Sequence, residues 1–208
     1  MTIYDLKPAF QNLLRPSCRA LANAGVTANQ VTMAALLISI VVGVLFALNP
    51  TTRWAPLLIP IWLFLRMALN TIDGMLAREH GMQSELGGFL NELSDVAADA
   101  ALYLPFAMVA GVSPMLVVVT VILSLLTEMA GVVSVQVGAS RRYDGPMGKS
   151  DRAFVFGLFG LLLSFGVDPG WWVNAALLVV ALLTALTIYN RVTRGLQELA
   201  AGNETQPK

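Results

Sequence analysis

Thr27-Ala28-Asn29-Gln30 runs straight into Val31–Leu48, VTMAALLISIVVGVLFAL, and this stretch decides the fold class. A helix needs roughly 20 consecutive apolar residues to cross about 30 Å of hydrocarbon, and this run is close to that length and carries no charge. Thr27 and Gln30 form a T-x-x-Q capping box that opens the helix, and Asn49, Pro50 and Thr51 end it. Comparable runs follow at Trp54–Leu69, Val96–Val112, Met115–Val135, Phe154–Val167 and Trp171–Tyr189. An all-α integral membrane fold with six transmembrane helices is therefore predicted. The fifth run is short, so it is expected to borrow Arg152 and Ala153 or to cross a thinned region. With 56% hydrophobic and 12% charged residues, the chain has too little polar surface to cover a water-soluble globule.

Positive residues near span ends stay in the cytoplasm, and here they are segregated. Lys7, Arg15, Arg19, Arg78, Arg141, Arg142, Lys149, Arg152, Arg191, Arg194 and Lys208 share one side of a six-span arrangement, against Arg53 on the other. Both termini and the charged loops are thus expected on the cytoplasmic face of the cell (inner) membrane. The formal net charge of zero hides this concentration of cations, which would meet anionic lipid and phosphate ligands. No nucleic-acid partner is needed to explain it.

Before the first span, Ile3, Leu6, Phe10, Leu13, Leu14, Cys18 and Leu21 recur at helical spacing, with Lys7, Gln11, Arg15 and Arg19 on another face. An amphipathic interfacial helix over 1–26 is predicted, kinked or divided at Pro16. The six-helix bundle occupies 27–200 of a single membrane domain, and 201–208 is a polar, frayed tail. Charges and two prolines in the first 30 residues argue against a cleaved signal peptide. Cys18 is the single cysteine, which leaves no intramolecular disulfide and no zinc-cluster signature.

Polar groups inside membrane spans are costly and usually functional. Here they cluster at the cytoplasmic ends of two spans, where the second ends, Asn70-Thr71-Ile72-Asp73-Gly74-Met75-Leu76-Ala77-Arg78, and where the third opens, Gly87-Gly88-Phe89-Leu90-Asn91-Glu92-Leu93-Ser94-Asp95. The i,i+3 spacing of Asn70 and Asp73, and the i,i+4 spacing of Asn91 and Asp95, put each pair on one helical face. Two facing pairs make an oxygen cage suited to a hard divalent cation such as Mg²⁺ or Mn²⁺. Gly74 and Gly87 permit close backbone approach of a nucleotide, and Arg78 offers a planar fork to phosphate. Small residues such as Gly74, Ala77, Gly87 and Gly88 also serve close helix packing, and the charges alone could form an interhelical polar clasp. Arg66 and Glu128 are expected to form a separate intramembrane pair.

This order resembles the signature of the CDP-alcohol phosphotransferases, D-x-x-D-G-x-x-A-R, eight residues, then G-x-x-x-D-x-x-x-D. Spacing matches throughout. Asp73, Gly74, Ala77, Arg78, Gly87 and Asp95 match in identity, whereas Asn70 and Asn91 stand for the first and third aspartates. The resemblance implies transfer of a phosphatidyl or other substituted phosphate group from a CDP-linked donor, such as CDP-diacylglycerol, to an alcohol acceptor, with release of CMP. It implies Asp95 as general base and Asp73, Gly74, Ala77, Arg78 and Gly87 around the nucleotide. Asn70, Asp73, Asn91 and Asp95 would face Mg²⁺ or Mn²⁺, with Asp99 or Glu92 as candidates to restore lost negative charge. It also implies a homodimer.

Between the fourth and fifth spans, Arg141-Arg142-Tyr143-Asp144-Gly145-Pro146-Met147-Gly148-Lys149-Ser150-Asp151-Arg152 is a turn-rich basic loop. In the family a Gly-Lys here helps bind phosphate, and Gly148-Lys149 matches it. Lys149, Arg152 and Arg141, with Arg142 less directly placed, are the residues expected to hold the phosphate or a phosphorylated acceptor. Two readings of another class stay open at this level: a catalytically degenerate lipid- or nucleotide-binding protein, and a small transporter using Asp73, Asp95 and Asp99 as an ion path.

Overall fold

The computed structural model describes residues 3–204, with side chains over 8–201. Those residues form seven α-helices and no strand: α1 Ile3–Asn23, α2 Ala28–Leu48, α3 Trp54–Glu79, α4 Glu85–Tyr103, α5 Pro114–Gln136, α6 Lys149–Ser164 and α7 Trp171–Glu204. Length and composition qualify α2, α3, α5 and α7 to cross a membrane. α4 and α6 fall short, because α4 carries Glu85, Glu92, Asp95 and Asp99 and α6 has 16 residues.

The capping box at α2 forms as expected: Thr27 N donates to Gln30 Oε1 at 2.9 Å, and Gln30 N donates to Thr27 Oγ1 at 3.3 Å. Pro16 does not divide α1. It lies on the exposed face, where the Asn12 carbonyl it leaves without an N–H partner can be hydrated, while Cys18 is buried. Leu14 and Leu21 join Cys18 in one apolar cluster with Val31, Ile72 and Leu76, and α1 docks chiefly on α3. The expected third span, Val96–Val112, is not one helix. α4 begins earlier, behind Ser84, whose hydroxyl accepts from Gly87 N at 3.0 Å. It ends at Tyr103, where Pro105 enters a 3₁₀ turn over Leu104–Met108. Part of the expected tail is helical, since α7 continues to Glu204; 205–208 lie outside the described residues.

The main core joins α2, α3, α4, α5, α6 and α7 through Phe46, Ile59, Leu102, Phe106, Phe156, Val117 and Leu177. Tyr103 stacks on Phe156 at 4.1 Å between ring centroids. Small residues set the helix spacing. A Cβ on Gly43 of α2 would fall 2.1 Å from the Ala101 carbonyl oxygen of α4, and one on Gly160 of α6 would fall 2.6 Å from the Pro56 carbonyl oxygen of α3. α3 and α4 both pack along α2 and touch each other little, which leaves a gap between the two signature segments.

Candidate active site

The gap is a cavity of about 790 Å³ lined by Asn70, Asp73, Gly74, Ala77 and Arg78 of α3 and by Gly87 and Asn91 of α4. Thr32 of α2 closes its floor, and its hydroxyl donates to Asp73 Oδ2 at 2.8 Å. The Asp73 carboxylate is buried and held by this neutral donor. Thr32 was not singled out from the sequence; the available signal was a hydroxyl in a strongly apolar run. Two of the glycines make room for side chains. At Gly74 the Arg78 guanidinium folds to 3.0 Å from where a Cβ would be, and at Gly87 the Asn29 Oδ1 stands 2.8 Å from that position. Among the described residues Arg78 makes no ion pair, so its donors remain for a ligand.

Asp95 lies behind Asn70. Asn70 Nδ2 donates to Asp95 Oδ1 at 3.0 Å, Arg66 Nη2 lies 3.1 Å from the same oxygen, and Lys149 Nζ lies 2.5 Å from Oδ2. Arg66 also pairs with Asp99. This overturns the expected Arg66–Glu128 pair: Arg66 projects from α3 toward α4, and Glu128 of α5 meets other cations. Asp99 is the buried counter-ion of Arg66. A second cavity, about 650 Å³, runs between α3 and α6. Arg66, Asn70, Asp99 and Lys149 line its polar end; Pro60, Leu63, Phe64, Phe154, Leu158 and Leu161 line the rest. Asn70 borders both cavities.

The basic residues near the α5–α6 loop divide by environment. Arg141 forms a two-pronged pair with Glu92, which keeps its guanidinium protonated beyond the usual range, and lies over the Tyr143 ring at 5.4 Å. Arg142 bridges Asp144 at 2.8 Å and Glu198 at 2.7 Å, and its hydrogen bond holds the Asp144 carboxyl below the ordinary carboxylate range. Arg152 is fully buried. It reaches Glu128 at 2.9 Å, the Met147 carbonyl at 3.1 Å and Thr127 Oγ1 at 3.3 Å, while Arg191 approaches Glu128 from α7 at 3.6 Å. Lys149 therefore lines a cavity next to Asp95, whereas Arg152 ties α6 to α5. Glu92 stands with Arg141 and away from the Asp73 carboxylate's contacts.

A model of the CDP-alcohol phosphatidyltransferase family matches residues 25–189. The inner membrane protein YnbA of Escherichia coli strain K12 is 45% identical over 193 residues, 92% of this chain and 94% of that protein. A phosphatidylinositol phosphate synthase of Mycobacteroides abscessus is 27% identical over 192 residues, covering 89% of this chain and 84% of that protein. Among solved structures, the Mycobacterium tuberculosis phosphatidylinositol phosphate synthase with CDP-DAG bound superposes with a TM-score of 0.73 at 16% identity. That match covers 86% of this chain and 92% of the other. The same enzyme in complex with manganese and citrate also gives 0.73, at 17% identity, covering 87% and 88%. These likenesses extend over several apolar helices as well as the signature, and the chain is a multi-pass membrane protein that belongs to the CDP-alcohol phosphatidyltransferase family.

Proposed function

We propose that this protein transfers a phosphatidyl group from a CDP-linked lipid, such as CDP-diacylglycerol, to an alcohol acceptor, releasing CMP. One observation carries the reading: the signature side chains from α3 and α4 converge on a single cavity whose inner wall, Asn70, holds Asp95. The nucleotide lies against Gly74, Ala77 and Gly87, with Arg78 on the diphosphate. The acyl chains run along the α3–α6 groove toward the bilayer. Asp95 takes the proton of the acceptor hydroxyl as its oxygen attacks the phosphorus next to the lipid alcohol; the P–O bond to CMP breaks and CMP leaves with the electron pair. Lys149, within reach of Asp95, meets the phosphate or a phosphorylated acceptor, and Arg141 turns from Glu92 to the same anion when it binds. Arg152 acts from behind, fixing the start of α6 and thereby Lys149.

Asp73, Asn70 and Asn91 offer only hard oxygen donors, and they share one cavity, which fits Mg²⁺ or Mn²⁺. When bound, the cation supplies Lewis-acid polarisation of the diphosphate oxygens.

The wider assignment follows from the same reading. One membrane domain spans 1–200 with six crossings, α4 and α6 being the two whose polar ends border the site. The site and both termini face the cytoplasm, in keeping with the distribution of Lys and Arg. The exposed apolar faces of α5 and α7, including Ile122, Met129, Leu178 and Leu182, supply a homodimer contact beside lipid; a monomer with full activity in nanodiscs would remove the dimer.

The test is CMP release by purified protein from CDP-diacylglycerol with Mg²⁺ or Mn²⁺, across glycerol phosphate, inositol phosphate, serine and simple polyols. Release that depends on one acceptor is expected. No release with any acceptor, from folded protein that binds the donor, overturns the transferase reading.

A further inference from the structure

The two carboxylates of the site stand in unlike surroundings. Asp73 accepts from the Thr32 hydroxyl, and no ion pair involving it occurs among the described residues. Asp95 has a cation on each oxygen: Arg66 Nη2 at 3.1 Å from Oδ1 and Lys149 Nζ at 2.5 Å from Oδ2. Asn70 turns its amide nitrogen, not its oxygen, toward Asp95. The two cations differ in kind. Arg66 is fixed, since its side chain is 5% exposed, pairs with Asp99, and donates to the Asp95 carbonyl at 2.9 Å. Lys149 is 31% exposed and sits on a four-carbon stem at the first position of α6.

A divalent cation seated at Asp95 would therefore stand against a guanidinium and an ammonium in a partly dehydrated site, where like charges repel strongly. Little charge is left to offset that repulsion: Asp99 is already engaged by Arg66, and positions 70 and 91 are amides. We infer that Arg66 and Lys149 are built-in cations that take the place of a metal on the Asp95 side, so that the site admits one divalent cation, on the Asp73 side. The inference rests on the transferase reading only for the identity of the cavity. It gives Lys149 a defined part in that reaction. When Asp95 accepts the acceptor's proton it loses its charge, and the Lys149 ammonium is released toward the charge growing on the phosphoryl oxygens.

Mn²⁺ binding to the full chain in detergent, with CDP-diacylglycerol present, tests this by electron paramagnetic resonance of free Mn²⁺ and by elemental analysis. One Mn²⁺ per chain is expected, and binding of none overturns the inference. The Lys149→Gln/Asn91→Asp double variant removes the mobile cation and places a carboxylate one turn before Asp95, and it should gain a second Mn²⁺. Two Mn²⁺ in the wild type overturn the inference, and so does a double variant that elutes and melts like the wild type yet gains none. If the double variant does not fold, the wild-type stoichiometry decides alone. Wild-type protein that binds one Mn²⁺ but releases no CMP counts against the transferase reading and in favour of the cation assignment.

Discussion

Arg66 of α3 grips Asp95 of α4 twice, through the carboxylate at 3.1 Å and through the main-chain carbonyl at 2.9 Å. One guanidinium thus sets both the side-chain position and the helical phase of the proposed base, across two helices that otherwise touch little. Asp99, one turn further along, neutralises the remaining nitrogen. Removing one partner of such a buried pair leaves an uncompensated charge and typically costs about 3–5 kcal/mol. Arg66→Met and Asp99→Leu should each lower the melting temperature sharply in detergent, and the double variant should lose clearly less than the two losses added together. Additive losses would mean the pair is not coupled.

Asp95→Asn retains an oxygen for Arg66 but cannot take a proton. CMP release should fall by about 10²-fold or more, the usual scale for a general base, while the protein elutes as the wild type does. Activity within threefold of wild type would remove Asp95 from the base role.

Lys149 and Arg152 lie three residues apart at the start of α6, yet the structure predicts opposite phenotypes for them. Lys149→Ala should raise the apparent KM for one substrate with a smaller change in kcat. Arg152→Ala should act first on stability, because it leaves Glu128 with Arg191 alone at 3.6 Å and empties a fully buried site. Steady-state kinetics and thermal melts on the same preparations separate the two outcomes.

Asn91→Asp adds a carboxylate to the cavity that holds Asp73, so divalent-metal affinity should rise whether or not turnover improves. Asp99→Asn should leave metal titrations unmoved, since Asp99 is the counter-ion of Arg66. A weakened titration in Asp99→Asn, rescued by Asn91→Asp, would make Asp99 a ligand after all.

Gly43→Ala drives a methyl into the Ala101 carbonyl oxygen, 2.1 Å from the new Cβ. Backbone cannot yield as a side-chain end can, so α2 must move off α4, at a cost of about 1–3 kcal/mol. Thermal melting should register this loss, with the metal affinity of the surviving folded fraction unchanged.

Much of this architecture was legible in the chain itself. Hydropathy located the four longest apolar helices, because membrane thickness sets their length. Thr27 and Gln30 announced the start of α2, because a capping box is satisfied locally. Spacing alone put Asn70 with Asp73, and Asn91 with Asp95, on single helical faces. The break at Tyr103 was missed because Pro105 sits in an apolar run where hydropathy and helix propensity disagree. The early start of α4 was missed for the opposite reason: Glu85–Asp95 is helical but too polar to count as a span.

What the sequence determined, then, was which residues share a helix face and which stretches seek the bilayer, since both follow from the 3.6-residue period and from transfer out of water. The pairing of the charges was settled by how the helices pack. Arg66 took Asp95 and Asp99 in preference to Glu128, Glu128 took Arg152 and Arg191, and Lys149 closed on Asp95. Helical periodicity gives the direction of a side chain from its own axis, but not which neighbour's face lies opposite. That choice came from the small residues that seat α4 on α2 and α6 on α3, and from the gap those seatings leave between α3 and α4.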